Sequence, residues 1–319
     1  MRGDEGRRGR GTVRVVSDVL RASGLLIAAR GHPAASPLGG DALLRAEAAG
    51  QLRRLRRGAY VGVDHWDALD ATAQHALVVR AVLSAQPGAL VSHRSAAALW
   101  GLPVIGRRDE AVHLTVAVGS GGRSTRGVRR HQWAGVVSEG CLDGIRVTSP
   151  ARTLVDVGRS AGLLAAVVAG DAALRAGLVT VADLDDELAA CGTCRGIRTA
   201  RRAAALMDGR SESPGESLSR VRMAELGLPA PTLQHEVQDA YGFVGRVDFY
   251  WPGPRVVGEF DGRAKYGLDG DAGAADRVWN EKLREDRIRA TGLAVVRWTW
   301  AEAWKGEPMA SRLRAAGVR

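Results

Sequence analysis

Lysine is scarce in this chain: of 45 basic residues only Lys265, Lys282 and Lys305 are lysines, so arginine carries the positive charge. Cysteine is as rare, three in 319 residues, which excludes a disulfide-stapled scaffold. Cys191 and Cys194 form a CGTC pair, but no second ligand pair stands at zinc-finger spacing and no thioredoxin-like strand precedes it. Long uncharged apolar runs are also missing. The nearest approach, Thr12 to Arg30, is broken by Arg14, Asp18 and Arg21. This argues against a secretory leader or a membrane span and makes the cytoplasm the expected location. What is present is apolar content of 45%, enough for real cores, in a length that suggests about two domains.

Net charge is +10. An arginine and alanine excess of this kind can follow from a GC-rich genome as well as from phosphate binding, so its distribution matters more than its total. Residues 211–319 hold 16 basic and 16 acidic side chains, whereas residues 1–210 hold 29 and 19. Electrostatic holding of DNA, the expected partner, therefore falls to the N-terminal two thirds.

The densest chemistry lies in RVDFYWPGPRVVGEFDGRAKY, residues 246–266. Alternation predicts a strand over Arg246 to Trp251, with Val247, Phe249 and Trp251 on one face and Asp248 on the other. Pro252, Gly253 and Pro254 turn the chain, and Val256 to Asp261 reads as a second strand on which Glu259 and Asp261 share a face. If the two strands pair, Asp248 approaches Glu259, and a bend at Gly262 brings Lys265 back toward them. Clustered carboxylates repel unless a cation joins them. Hard oxygen ligands suit Mg²⁺ or Mn²⁺, which position water and neutralise charge on a scissile phosphate. A hairpin with a merely solvated polar face is the alternative that this spacing leaves open.

Six pieces stand in order from Ser213 to Trp300: SPGES with Arg220, GLPAP, RVDFYWP, GEFDG, EKLRED and GLAVVRWTW. This run resembles the very-short-patch-repair-endonuclease-like domain of the PD-(D/E)xK nuclease superfamily. The resemblance implies an α/β fold with a restriction-endonuclease-like mixed sheet flanked by helices over residues 211–319. It also implies metal-dependent hydrolysis of DNA on Glu216, Asp248 and Glu259. The superfamily pattern sets a lysine two residues after the glutamate; here Asp261 stands there, as an extra metal ligand beside Asp248 and Glu259 or as the mark of a degraded site. Lys265 is then the residue that stabilises charge or orients the nucleophile. Ser213, Pro214 and Glu216 also form a capping box, so Glu216 serves a helix start whether or not it reaches a metal through water. Arg220 lies four residues on, within reach of an ion pair with Glu216. WNEKLREDRIRA, from Trp279, reads as a helix with Leu283 and Ile288 inward and with Lys282, Arg284 and Arg287 available to a DNA cleft; Arg220, Lys282 and Arg287 stand as supporting cations.

Residues 1–11 form a charged, glycine-rich tail expected to be disordered. Residues 12–65 read as a helix from Val13, a second from Asp41 to Leu52 with Leu43, Leu44, Ala48 and Leu52 inward, and then RRLRRGAYV, a basic strand with a glycine turn. A helix followed by a basic hairpin is how a winged helix-turn-helix meets DNA, with Arg53, Arg54, Arg56 and Arg57 on phosphates or in the minor groove. The segment resembles the N-terminal domain of AbiEi-family antitoxins. SHRSAAALWGLP and RVTSPARTLVDV resemble the α+β middle domain of the same family, over residues 66–205. Within it His93 and Arg94 precede a helix and could meet a phosphate, and Arg123, Arg126, Arg129 and Arg130 form a basic cluster in or beside a loop.

The expectation is an Mg²⁺-dependent DNA endonuclease delivered by a winged helix and a basic middle domain. The competing expectation is a non-catalytic, antitoxin-like transcriptional regulator whose nuclease-like half binds or dimerises. The antitoxin resemblance implies a cognate toxin as a partner, leaves a homodimer open, and involves no membrane.

Overall fold

A computed structural model of the chain describes residues 25–27, 39–106, 110–119, 124–262 and 274–319, with the side chains of 25–27 and 274–278 left aside. The expected tail at 1–11, the helix from Val13, Arg123 and Lys265 lie outside the described residues. The fold is mixed α/β with several sheets, two of them mixed parallel and antiparallel. No helix among the described residues is long and apolar enough to cross a membrane. The chain divides into two compact units, Met1–Val157 and Gly158–Arg319, at a point inside the segment expected as a middle domain.

In the first unit β1 (Leu25–Ile27), β3 (Ala59–Gly62) and β2 (Leu52–Arg56) form an antiparallel sheet, preceded at β2 by helix α1 (Gly40–Ala48). The β2–β3 turn closes at Gly58, φ 78°, a conformation open to glycine without a β-carbon clash. Helix α1 stops four residues short of the expected Leu52, which is already in β2. With so few turns it buries Leu43 and Ala46, while Leu44 and Ala48 face outward. Two further helices follow, α2 (Val63–Asp67) and α3 (Ala71–Leu83), the latter capped by Asp70, whose carboxylate accepts the Ala73 N–H at 2.8 Å.

The second sheet has the order β6-β5-β4-β8-β7, with β4 (Leu90–Val91), β5 (Val112–Ala117), β6 (Val128–Trp133), β7 (Glu139–Leu142) and β8 (Ile145–Thr148). Helix α4 (His93–Leu99) leaves β4 directly, and α5 (Pro150–Ala161) starts behind Ser149, whose hydroxyl accepts the Arg152 N–H. Val79, Val82, Val91, Ala96, Val112, Leu114, Val128 and Val147 make one buried cluster across these elements. Arg129 and Arg130, expected in or beside a loop, lie on β6, because that strand takes its register from β5.

The second unit begins with α6 (Leu163–Arg175), α7 (Val181–Ala190), α8 (Ile197–Ala204) and α9 (Pro214–Glu225). Its sheet has the order β12-β11-β10-β9: β9 (Thr232–Asp239), β10 (Gly242–Trp251) and β11 (Val256–Asp261) form an antiparallel meander. Helix α10 (Ala274–Ala290) then carries the chain to β12 (Ala294–Thr299), parallel to β11. Phe249 stacks near Trp298 at 5.3 Å, and the Trp298 ring N–H donates to Ser219 of α9 at 2.8 Å. Val257 and Ile288 pack in a separate cluster with Val237, Val244, Val247 and Leu293. Ile288 is therefore core as expected, but Leu283 is not: it is 45% exposed. β12 ends at Thr299, which caps α11 (Trp300–Lys305) together with Glu302; α12 (Glu307–Ala315) follows.

Candidate active site

β10 and β11 pair through Trp251↔Val256, Tyr250↔Val257 and Phe249↔Gly258. One step further the same register sets Asp248 beside Glu259, on the face away from Val247, Phe249 and Trp251. There a side chain replaces the main-chain ladder: the Phe260 N–H donates to Asp248 Oδ2 at 2.8 Å. On the other flank of β10, the pairs Leu233↔Phe249 and His235↔Val247 bracket Gln234 beside Asp248. Gln234 has φ 54°, a left-handed conformation that costs a residue with a β-carbon about 1–2 kcal/mol. Its amide Nε2 donates to Glu216 Oε2 at 2.9 Å.

Glu216 stands in the first turn of α9. Ser213 Oγ accepts the Glu216 N–H at 3.2 Å and donates to Oε1 at 2.7 Å, while the Glu212 N–H donates to Oε2 at 2.8 Å. The capping role is thus real, and it holds a buried carboxylate in one orientation. Burial is the main force on Asp248 and pushes its carboxyl up to about 7. The Phe260 N–H works against this, the charges of Glu216 and Glu259 add to it, and Arg284 opposes.

Glu259, 9% exposed, sits between two arginines: Arg284 Nη2 lies 2.6 Å from Oε1 and Arg297 Nη2 lies 2.7 Å from Oε2. The parallel pair Glu259↔Arg297 places these two side chains on one face. Both arginines also reach Glu281, whose carboxyl Arg284 above all holds down at about 2. Asp261 ends β11 and is exposed. Among the described residues, the three ligating side chains that gather within 4.8 Å of one another are His93, His113 and His131; Glu216 and Glu259 each act on Asp248 over a wider span.

The supporting cations divide. Arg220 does not pair with Glu216; it is drawn to Asp171 Oδ2 at 2.8 Å, Ser211 Oγ at 3.2 Å and the Leu206 carbonyl at 2.6 Å, because Asp171 of α6 is a buried charge that needs a counterion. Arg287 binds Asp239 of β9 through two hydrogen bonds, and Lys282 lies 6.0 Å from the Trp279 ring. In the first unit, Arg53, Arg54 and Arg57 are exposed, with Arg53 over the Trp66 ring at 4.7 Å. Arg56 is instead turned inward to the Val82 carbonyl at 2.9 Å. Sequence reasoning missed Gln234 and Glu281 and did not give Arg284 or Arg297 a carboxylate to hold. Strand pairing brings Arg297 to Glu259, the placement of α10 brings Arg284, and the i,i+3 pair of Glu281 with Arg284 is a local signal that sequence could have given.

No family model matches the chain. Two relatives, the uncharacterized protein MT2308 of Mycobacterium tuberculosis strain CDC 1551 / Oshkosh and the uncharacterized protein Rv2248 of strain ATCC 25618 / H37Rv, are each 32% identical to it over 202 residues. The match spans 63% of this chain and 71% of each relative. On that identity and coverage, the chain belongs to the family of these two mycobacterial proteins.

Proposed function

We propose that the protein binds DNA through its basic N-terminal unit and hydrolyses phosphodiester bonds at Asp248, Glu259 and Glu216 with a divalent cation. One observation carries this reading: carboxylates from β11 and α9 act on a half-buried acid of β10, Asp248, where the β10–β11 ladder gives way to a side chain. The mixed sheet between α9 and α10 supports the restriction-endonuclease-like expectation. The donor set fits Mg²⁺ or Mn²⁺, since it consists of hard carboxylate oxygens. Asp248 Oδ1 and Glu259 would hold the ion, Glu216 would reach it through a water, and Asp261 lies two residues beyond Glu259 as an added ligand. When bound, the ion positions a water and neutralises charge on the phosphate. Gln234 and Ser213 orient Glu216, and Arg284 and Arg297 limit repulsion within the cluster. Arg53, Arg54 and Arg57 would hold the DNA backbone, and the resemblance gives Lys265 the charge-stabilising role.

A second reading is favoured by the arginine clamp on both oxygens of Glu259 and by Asp261 at the position of the family lysine. In it the second unit is a degenerate nuclease module, and the protein is an antitoxin-like transcriptional regulator with a cognate toxin. Nicking of supercoiled plasmid separates the two. The nuclease reading expects Mg²⁺-dependent nicking that disappears in Asp248→Asn and Glu259→Gln. Binding to its own promoter without cleavage by the wild type supports the regulator.

A further inference from the structure

Three of the seven histidines meet in the first unit, far along the chain from the carboxylates. His93 opens α4, His113 is in β5 and His131 is in β6. The parallel register pairs His113 with Arg129 and Thr115 with His131, so His113 and His131 project from one face of the sheet as diagonal neighbours. The Ser92 N–H donates to the His113 carbonyl at 3.0 Å, which draws the next residue, His93, over the same face. One ligating atom from each imidazole lies within 4.8 Å of the others. His131 Nε2 is 3.0 Å from His113 Nδ1, and the His93 and His131 rings stack with centroids 3.6 Å apart. His93 and His113 are buried.

Such a cluster is poorly suited to carrying protons, because two or three imidazolium charges in a buried volume repel. Neutral imidazoles offer lone pairs instead, the donors preferred by zinc-class ions. Metal–nitrogen bonds of about 2.0–2.1 Å place tetrahedral nitrogens roughly 3.3 Å apart, a spacing the observed 3.0 Å contact already approaches. The surroundings match what orients metal-binding histidines. Ser92 Oγ meets His93 Nδ1 at 2.9 Å, and Asp156 Oδ2 lies 3.9 Å from the same nitrogen. Asp156 is itself held by Arg152 at 3.0 Å, whose guanidinium stacks 3.8 Å over Trp133. Ser95 Oγ accepts the His113 main-chain N–H at 2.9 Å and meets His75 at the same distance, fixing the sheet below the cluster. His93 also has φ 55°, a strained backbone that survives only where its surroundings over-determine it and that concentrates at ligand sites.

We propose that His93, His113 and His131 bind one divalent transition-metal ion of the zinc class through three imidazole nitrogens, with a water in the fourth position. Three protein ligands with one open position are the arrangement in which zinc stays reactive rather than purely structural. This site is distinct from the hard-oxygen site around Asp248 and stands or falls separately from it.

The test is titration of chelator-stripped full-length protein with Co²⁺. The expected result is one equivalent bound, with the visible bands of four-coordinate cobalt and no thiolate charge-transfer absorption. His131→Asn is expected to lose more than the about 10- to 100-fold that a change behind the ligands costs. Cys191→Ser with Cys194→Ser keeps wild-type binding. A readout independent of variant folding is protection of wild-type His131, the half-buried member of the three, by Co²⁺ against diethyl pyrocarbonate, mapped by mass spectrometry. Unchanged modification of His131 at saturating Co²⁺, thiolate absorption, or wild-type affinity in a folded His131→Asn would overturn the proposal.

Discussion

Asp248 carries the clearest consequence at the scale of single residues. Its carboxyl is raised to about 7, with burial as the first cause, so the folded chain holds a proton that the unfolded chain releases near its ordinary value of 3.8. Folding stability therefore falls as pH rises from about 4 to about 7, by up to about 4 kcal/mol for this group alone. Asp248→Asn removes that slope and is the more stable protein at pH 8, while the two are close at pH 4. Urea unfolding of both at the two values, without divalent cation, checks this, and parallel curves would refute the burial argument. Arg284 offers a second measurement. Arg284→Met leaves Glu259 and Glu281 with one arginine fewer, at a cost of about 2–3 kcal/mol, below the full value for a buried pair because the side chain is a quarter exposed. Most of that loss should vanish when Glu259→Gln is added, and a double-mutant cycle reports it.

At the scale of elements, one position is fixed by close approach and another by capping. Gly258 on β11 leaves no room for a methyl: a β-carbon there would sit 2.6 Å from the Trp298 ring. Gly258→Ala should cost about 3 kcal/mol, read as a lower denaturant midpoint with an unchanged m-value. Ser213→Ala at the start of α9 should cost about 1 kcal/mol. On the nuclease reading proposed above it should also lower Mg²⁺-dependent nicking, since the same hydroxyl orients Glu216. Some elements were open to reading in advance. Alternation identified β10, and Ser213 with Pro214 identified the start of α9. The β7–β8 hairpin was missed although Asp143-Gly144, both at positive φ, is the dipeptide that such a two-residue turn favours. Arg129 and Arg130, expected in or beside a loop, stand beside one, at the start of a strand whose register is set by β5.

For the whole molecule, if DNA is the partner as proposed, the surplus of charge in the first two thirds ties its affinity to salt. Observed affinity should fall linearly with the logarithm of salt concentration. Arg53→Ala or Arg57→Ala should each reduce the slope by about 1. Arg56→Ala should leave the slope unchanged and lower stability, because its guanidinium is committed to the Val82 carbonyl. Equal slope losses at all three positions would contradict that assignment.

The sequence by itself determined local features: the alternating face of β10, the cap that carries Glu216, the glycine turn of the basic hairpin, and the absence of long apolar runs. Each depends on neighbours within a few residues, where periodicity and capping chemistry act. Tertiary structure decided the partners. It sent Arg220 to Asp171 instead of Glu216, closed Arg284 and Arg297 on Glu259, set Gln234 beside Asp248, and stacked His93 on His131. A buried charge takes whichever counterion the packed elements bring within reach, and that choice depends on strand order and register between segments far apart in the chain.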